Sequence, residues 1–261
     1  LRPRQVLNRA SQILRRRAWR WLGATCPRIA SPGWRELSPL WVGLEAFPGV
    51  SAFAADRGEA QHQAGAAREH RFTFLGRTAQ LGEKIDWSVP GESQLWRYHL
   101  HYFDYVRALL IVSPDGGAGG YETFRSLAQS WIEGNRALRG DGWHPYTLSL
   151  RLVNWLQVAL TWKARFAADT AFARVFRDSL YAQARLLHRQ REYDVRGNPL
   201  LDNIRALLCA GLAFEGREAR RWLDDALADL KDETAEQILP DGGHFERTPG
   251  YHAVVLRDYL A

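Results

Sequence analysis

The chain reads as an all-α protein, on three observations. From Trp96 onward, apolar residues recur at three- and four-residue spacing rather than in alternation. These segments are punctuated by Gly, Pro and Asp. Strand-like runs are scarce, and Phe72-Thr73-Phe74-Leu75 is the best of them. The spacing predicts helices over residues 94–111, 121–134, 146–166, 171–192, 200–214, 215–239 and 250–260.

Taken in order, the first stretch is basic: Arg2, Arg4, Arg9, Arg15, Arg16, Arg17 and Arg20 crowd a helix-like segment that also carries Trp19, Trp21 and Leu22. Such a patch reads either as a solvated helix docked through its Trp residues or as a contact for lipid headgroups, nucleic acid or an acidic polymer. No helix-turn-helix, zinc-finger or RNA-binding signature accompanies it, and no nucleic-acid partner is expected. Residues 24–70 read as an irregular connector, because Pro27, Pro32, Pro39 and Pro48 recur too often for a long helix to pass through them. Residues 1–70 are accordingly set apart from a helical domain over 71–261. Asp115 to Gly120 is a short loop between two helices. The helices come in pairs joined by short polar loops, the pattern of antiparallel hairpins. Hairpins stacked side by side curve into a solenoid or close into a ring, and a nearly closed ring leaves a cleft at one end where a long polymer can lie.

Composition sets the outer bounds. An apolar fraction of 46% over 261 residues allows a sizeable core, and no run of about 18 apolar residues is present to span a bilayer. The net charge of +6 is modest. Two distant cysteines, Cys26 and Cys209, make neither a disulfide framework nor a zinc motif, and Cys209 reads as a buried inert thiol. The chain lacks Met and stops within an amphipathic pattern, so it is expected to be a fragment at both ends, and a missing signal peptide does not argue against export.

Four polar constellations stand out. The densest is Asp241-Gly242-Gly243-His244-Phe245-Glu246-Arg247-Thr248-Pro249-Gly250-Tyr251-His252, where a Gly pair lets the backbone approach a ligand closely; the plain alternative is a Gly-rich loop with Asp241 or Thr248 capping the next helix. Residues Leu95 to Tyr105 place Tyr98, Tyr102 and Tyr105 on one helical face, with Trp96, His99 and Phe103 turned elsewhere, either as sugar-stacking rings or as core. In Trp143 to Trp155, Pro145 suits a first helical turn, and Arg151, Asn154 and Trp155 share a face that can grip a carboxylate or pack as a salt bridge and a core Trp. In Gly197-Asn198-Pro199-Leu200-Leu201-Asp202-Asn203, an Asn either caps the helix or hydrogen-bonds a substrate carboxyl.

Together with Phe72 to Leu75, and in this order, these motifs resemble the N-terminal helical domain of the heparinase II/III family of polysaccharide lyases, which includes relatives acting on alginate. The resemblance covers roughly residues 70–261. It implies an incomplete α/α toroid built of antiparallel helical hairpins, followed by a C-terminal β-sandwich domain that this chain does not reach. It also implies β-elimination at a uronic acid, with Asn198 matching the carboxyl-neutralising Asn and Tyr251 the catalytic Tyr. His244 is then expected as a substrate contact or second proton-transfer group, Arg247 or His252 as the cation that assists Tyr251, and Tyr98, His99, Tyr102, Arg151, Asn154, Trp155, Arg247 and His252 as substrate-binding residues. One departure matters: the family often has His directly after that Asn, and here the residue is Pro199.

The reading that follows is a lyase for an acidic, uronate-containing polysaccharide. The alternatives are a non-catalytic acidic-polysaccharide binder of surface or exopolysaccharide assembly and a domain recruited by its basic N-terminal helix to anionic lipid or nucleic acid. The expected partners are the acidic polysaccharide and the chain's own β-sandwich domain. No cofactor is identifiable, a metal in that further domain is left open, and the resemblance points to the periplasm or cell envelope.

Overall fold

The computed structural model describes residues 30–35, 57–117, 119–136, 138–195 and 197–260, with isolated positions between 6 and 18. Arg2, Arg4, Arg15, Arg16, Arg17 and Arg20 of the basic stretch, with Trp19, Trp21, Leu22 and Cys26, lie outside the described residues. The element order is α1 (Arg57–Arg68), β1 (Arg71–Phe74), β2 (Arg77–Gln80), α2 (Gln94–Tyr102), α3 (Val106–Val112), α4 (Gly120–Gly134), a 3-10 turn (Asp141–Trp143), α5 (Pro145–Thr161), α6 (Lys163–Ala168), α7 (Thr170–Arg189), α8 (Gly197–Ala213), α9 (Arg217–Gln237) and α10 (Pro249–Leu260). Among the described residues the protein is all-α apart from one hairpin. Its strands pair Phe74 with Arg77, leaving Leu75 and Gly76 as a two-residue turn with φ of 55° and 73°, the primed geometry that suits the twist of a hairpin.

Three expectations are corrected. The connector assigned to residues 24–70 ends in a helix: α1 lies beyond the last of its four prolines and buries Ala60, Ala64 and Ala67 as one stripe, packed against α3. The helix expected over 94–111 breaks at Phe103, which adopts a left-handed φ of 61°. There Asn154 Nδ2 donates to the Tyr102 carbonyl at 2.9 Å and to Asp104 Oδ1 at 2.8 Å, while the Phe103 ring turns inward against Trp87 and Trp155. The helix expected over 146–166 breaks at Trp162, whose Nε1–H donates to the Ser113 carbonyl at 2.8 Å.

The core is aromatic. The Trp155 ring meets Phe103, Phe124, Trp131 and Phe176 at centroid distances of 5.1, 6.2, 5.6 and 5.1 Å. α8 packs between α5 and α9, and residues 214–216 are too few to do anything but reverse the chain, so α8 and α9 run antiparallel. Close approach at that hairpin depends on Gly211, where an added Cβ would come within 2.9 Å of the Ala219 carbonyl and of Leu223. Ahead of the helices, Trp34 stacks on Phe214 at 4.8 Å and the Arg35 N–H donates to the Ala213 carbonyl at 2.9 Å, so residues 30–35 dock on the far end of α8.

Candidate functional site

Antiparallel running of the hairpins decides which loops meet. α8, about 26 Å long at 17 residues, starts at Gly197; α9, about 32 Å at 21 residues, runs back beside it. The turn after Gln237 therefore returns to the end where α8 begins, and α10 packs back onto α8. The first turns of α5 open at this end too, since α8 packs along α5 and Asn203 Nδ2 donates to Ser149 Oγ at 2.9 Å.

Asn198 occupies the first turn of α8 and is half-buried. Pro199 beside it is tolerated because the opening N–H groups of a helix lack intrahelical partners. One turn further on the same face, Asp202 is buried and held by Arg205 at 2.8 Å. Across from it stands Tyr102, whose pKa is pushed far up, first by burial and then by Tyr146, Asp104, Tyr98 and Asp202. Its hydroxyl stays protonated.

An aromatic wall continues from Tyr102. Its ring meets Tyr146 edge-on at 5.7 Å and Tyr98 at 6.5 Å, and Tyr98 lies 5.1 Å from the His144 ring. His99 packs edge-on to Tyr102 at 5.1 Å and stacks on Phe74 at 5.6 Å. Tyr98, His99, His144 and Tyr146 are all half-buried, with part of each ring turned to solvent. His144 and Tyr146 are absent from the site expected from sequence, although a His directly before the helix-opening Pro145 in an aromatic run was a legible signal.

The turn after α9 is a small hairpin. Ile238 bridges His244, the Leu239 N–H donates to the Gly243 carbonyl at 2.8 Å, and the Phe245 N–H to the Gln237 carbonyl at 2.9 Å. Asp241 accepts the Gly243 N–H at 2.9 Å and so closes the turn. Arg247 is exposed and left-handed, with φ of 54°. His252, half-buried in the first turn of α10, accepts the His244 N–H on Nδ1 at 3.4 Å. Tyr251 lies in the same turn, and its side chain is outside the described residues.

Four residues expected to touch substrate do not line this surface, and a fifth, Tyr102, is 4% exposed and backs the wall rather than facing solvent. Arg151 and Trp155 are 0% exposed and Asn154 is buried. Arg151 donates to Gln183, to the His101 carbonyl and to the Gly142 carbonyl at 2.8, 3.1 and 2.8 Å, and its guanidinium lies 3.8 Å over the Trp131 ring. Asn154 holds the α2–α3 break, and Trp155 is the centre of the core. His244, 3% exposed, faces Gln237 Oε1 at 3.3 Å and packs on Phe245, which makes it a support of its own turn. Tyr105, expected beside Tyr98 and Tyr102, is buried against Phe72 and Phe103 because the helix breaks before it. A separate cavity of about 640 Å³, lined by Trp87, Arg97, His101, Asn135, Arg139 and Asp141 among others, shares none of the solvent-facing candidates.

Residues 52–261 match the family model described as Heparinase II/III N-terminus. The chain belongs to the heparinase II/III family. A heparin-sulfate lyase of Pedobacter heparinus is 27% identical over 187 residues, covering 69% of this chain and 28% of that protein. The FtsZ-localized protein C of Caulobacter vibrioides is 27% identical over 179 residues, covering 69% and 29%. The chain thus spans less than a third of the length of these relatives. Among solved structures, the heparan sulfate lyase HepC of Pedobacter heparinus superposes with a TM-score of 0.66 at 23% identity, over 77% of this chain and 33% of that one. A Heparinase III crystal structure gives 0.65 at 21%, over 79% and 34%. At these identities the likeness is one of fold, an incomplete α/α toroid of helical hairpins. Among the described residues no helix is long and apolar enough to cross a membrane, and no cluster of three or more His, Cys, Asp or Glu side chains is placed to hold a metal ion.

Proposed function

We propose that this chain is the helical part of a polysaccharide lyase that cleaves an acidic, uronate-containing polymer by β-elimination. The observation that carries the reading is the half-buried Asn198 at the head of α8, one turn before the Asp202 whose charge acts on Tyr102 in the wall of Tyr98, Tyr102 and Tyr146, at the end to which the Arg247–His252 segment also returns. The heparin-sulfate lyases among the relatives support it.

The chemistry sets what these groups must do. Removing the proton α to a uronate carboxylate becomes feasible only when the charge growing on that carboxyl is stabilised, and the Asn198 amide donates there. One donor aimed at a developing oxyanion contributes about 3 to 4 kcal/mol in favourable cases. The C–H electron pair becomes the new C=C bond as the glycosidic C–O bond breaks, and the departing oxygen takes a proton. Tyr251 takes or delivers a proton in this sequence. Bringing a Tyr hydroxyl from a pKa of about 10 to about 7 requires roughly 4 kcal/mol of differential stabilisation, and the neighbouring Arg247 guanidinium is the group that supplies positive charge. His244 acts through the turn, its backbone N–H holding His252 Nδ1.

Full-length protein supplied with heparan sulfate, hyaluronan, chondroitin and alginate should generate ultraviolet-absorbing unsaturated products from at least one. Tyr251→Phe should lower that rate by about a hundredfold or more, the usual loss of acid–base catalysis, with little change in melting temperature. Near-normal turnover by Tyr251→Phe would refute the mechanism. A second reading, a non-catalytic binder of acidic polysaccharide, is favoured by Pro199, which carries no proton to transfer, and by a relative not named as a lyase. Polymer binding without unsaturated product would select it.

A further inference from the structure

The loop between α7 and α8 buries a carboxylate behind the aromatic wall. Glu192 is 4% exposed, and Asn203 sets its position twice: the Glu192 backbone N–H donates to Asn203 Oδ1 at 2.8 Å, and Asn203 Nδ2 donates to Glu192 Oε2 at 3.1 Å. Asn203 Nδ2 also donates to Ser149 Oγ at 2.9 Å, and Ser149 donates to the Pro145 carbonyl at 2.9 Å. The carboxylate is thereby locked to the first turn of α5, the helix that His144 opens. Its other oxygen, Oε1, lies 3.9 Å from His144 Nε2, and the His144 side chain is 26% exposed. The imidazole lies 5.1 Å from the Tyr98 ring, and its Nδ1 is buried.

A buried carboxylate fixed 3.9 Å from a partly exposed imidazole acts on that ring through its charge rather than through a hydrogen bond, and so favours one orientation of it. Asn203 ties this loop to α8, the helix that Asn198 opens, and the ring faces Tyr98 of the aromatic wall. Pro199 brings no side-chain N–H to this end, whereas His144 brings an imidazole from a different helix.

We propose that His144 is a substrate-contacting residue of this site, hydrogen-bonding an oxygen substituent of the acidic sugar that lies against Tyr98, and that Glu192 is its positioning residue. The assignment rests on the polysaccharide reading above. A sugar unit presents an apolar face to an aromatic ring and a rim of oxygens beside it, and Tyr98 with His144 offers that combination.

The test is a double-mutant cycle of His144→Ala, Glu192→Gln and the pair in the full-length protein, read as kcat/KM on the polymer that wild type cleaves and as affinity for the same polymer. His144→Ala should lower kcat/KM by about tenfold, the loss expected for one hydrogen bond to a bound ligand, and weaken affinity in the same direction. Glu192→Gln, which keeps an acceptor for Asn203, should lose less alone and nothing further once His144 is gone. His144→Gln retains a donor and should recover part of the loss, which guards against misreading a folding defect. Additive losses in the cycle, or wild-type values in a folded His144→Ala protein, overturn the proposal. If wild type binds polymer but forms no unsaturated product, the lyase reading fails while the cycle read by affinity still decides on His144. A wild type that neither cleaves nor binds any of the four polymers overturns both.

Discussion

His101 is an imidazole held neutral. Trp131 Nε1–H donates to its Nδ1 at 2.9 Å, burial pushes its pKa down to about 3, and the Arg151 guanidinium nearby adds to the fall. A His depressed in the folded state binds its proton more readily when unfolded, so its contribution is fully present above the unfolded value, about 6.5, and is lost as pH falls toward the folded one. Between about pH 6 and pH 4 this group alone should cost about 1.4 kcal/mol of stability per pH unit. Urea unfolding across that range should show the slope in wild type and a shallower one in His101→Gln; equal slopes would disprove the assignment. At this scale the sequence displayed residue types without displaying their surroundings. Arg151 and Asn154 stand at the spacing of a shared face, which is true, but spacing cannot say whether that face meets solvent or protein. Asn198 was legible as a polar residue at a helix start, where capping and ligand contact look alike.

Among the elements, hydrophobic period and breaker residues located the helices from 121 onward to within a few residues at most ends. They missed the two internal breaks because both are made by distant partners: Asn154 takes the Tyr102 carbonyl, and Ser113 takes the Trp162 indole N–H. They also missed α1, whose buried stripe is Ala rather than Leu or Val and so carries little apolar signal. The α8–α9 hairpin gives an element-scale prediction. Gly211→Ala gains helix propensity but pushes a methyl to 2.9 Å from the Ala219 carbonyl and from Leu223, so overpacking should win and destabilise the protein by about 1 to 3 kcal/mol. An unchanged or raised denaturation midpoint would mean that the hairpin relaxes freely.

For the whole molecule, Arg151 is the tie. From α5 it reaches Gln183 on α7, the His101 carbonyl on α2 and the Gly142 carbonyl in the 3-10 turn, so one side chain spans four elements around the aromatic core. Gly142 admits this closeness because a Cβ there would lie 2.9 Å from His101 Nδ1. Arg151→Ala should therefore cost about 3 to 5 kcal/mol in urea unfolding, from the cavity and the unpaired carbonyls left behind. A loss under about 1 kcal/mol joined to weakened polymer binding would return Arg151 to the ligand surface.

The amino-acid sequence by itself determined that the body is helical, that its helices pair as hairpins, and that four polar motifs follow one another in the order of the heparinase II/III family, because period, breakers and motif order are local properties of the chain. Which motif residues face solvent was decided only by tertiary structure. Burial depends on what packs opposite, and so Arg151, Asn154, Trp155 and His244 turned inward while His144 and Tyr146 came to stand against Tyr98 and Tyr102, with Glu192 behind His144.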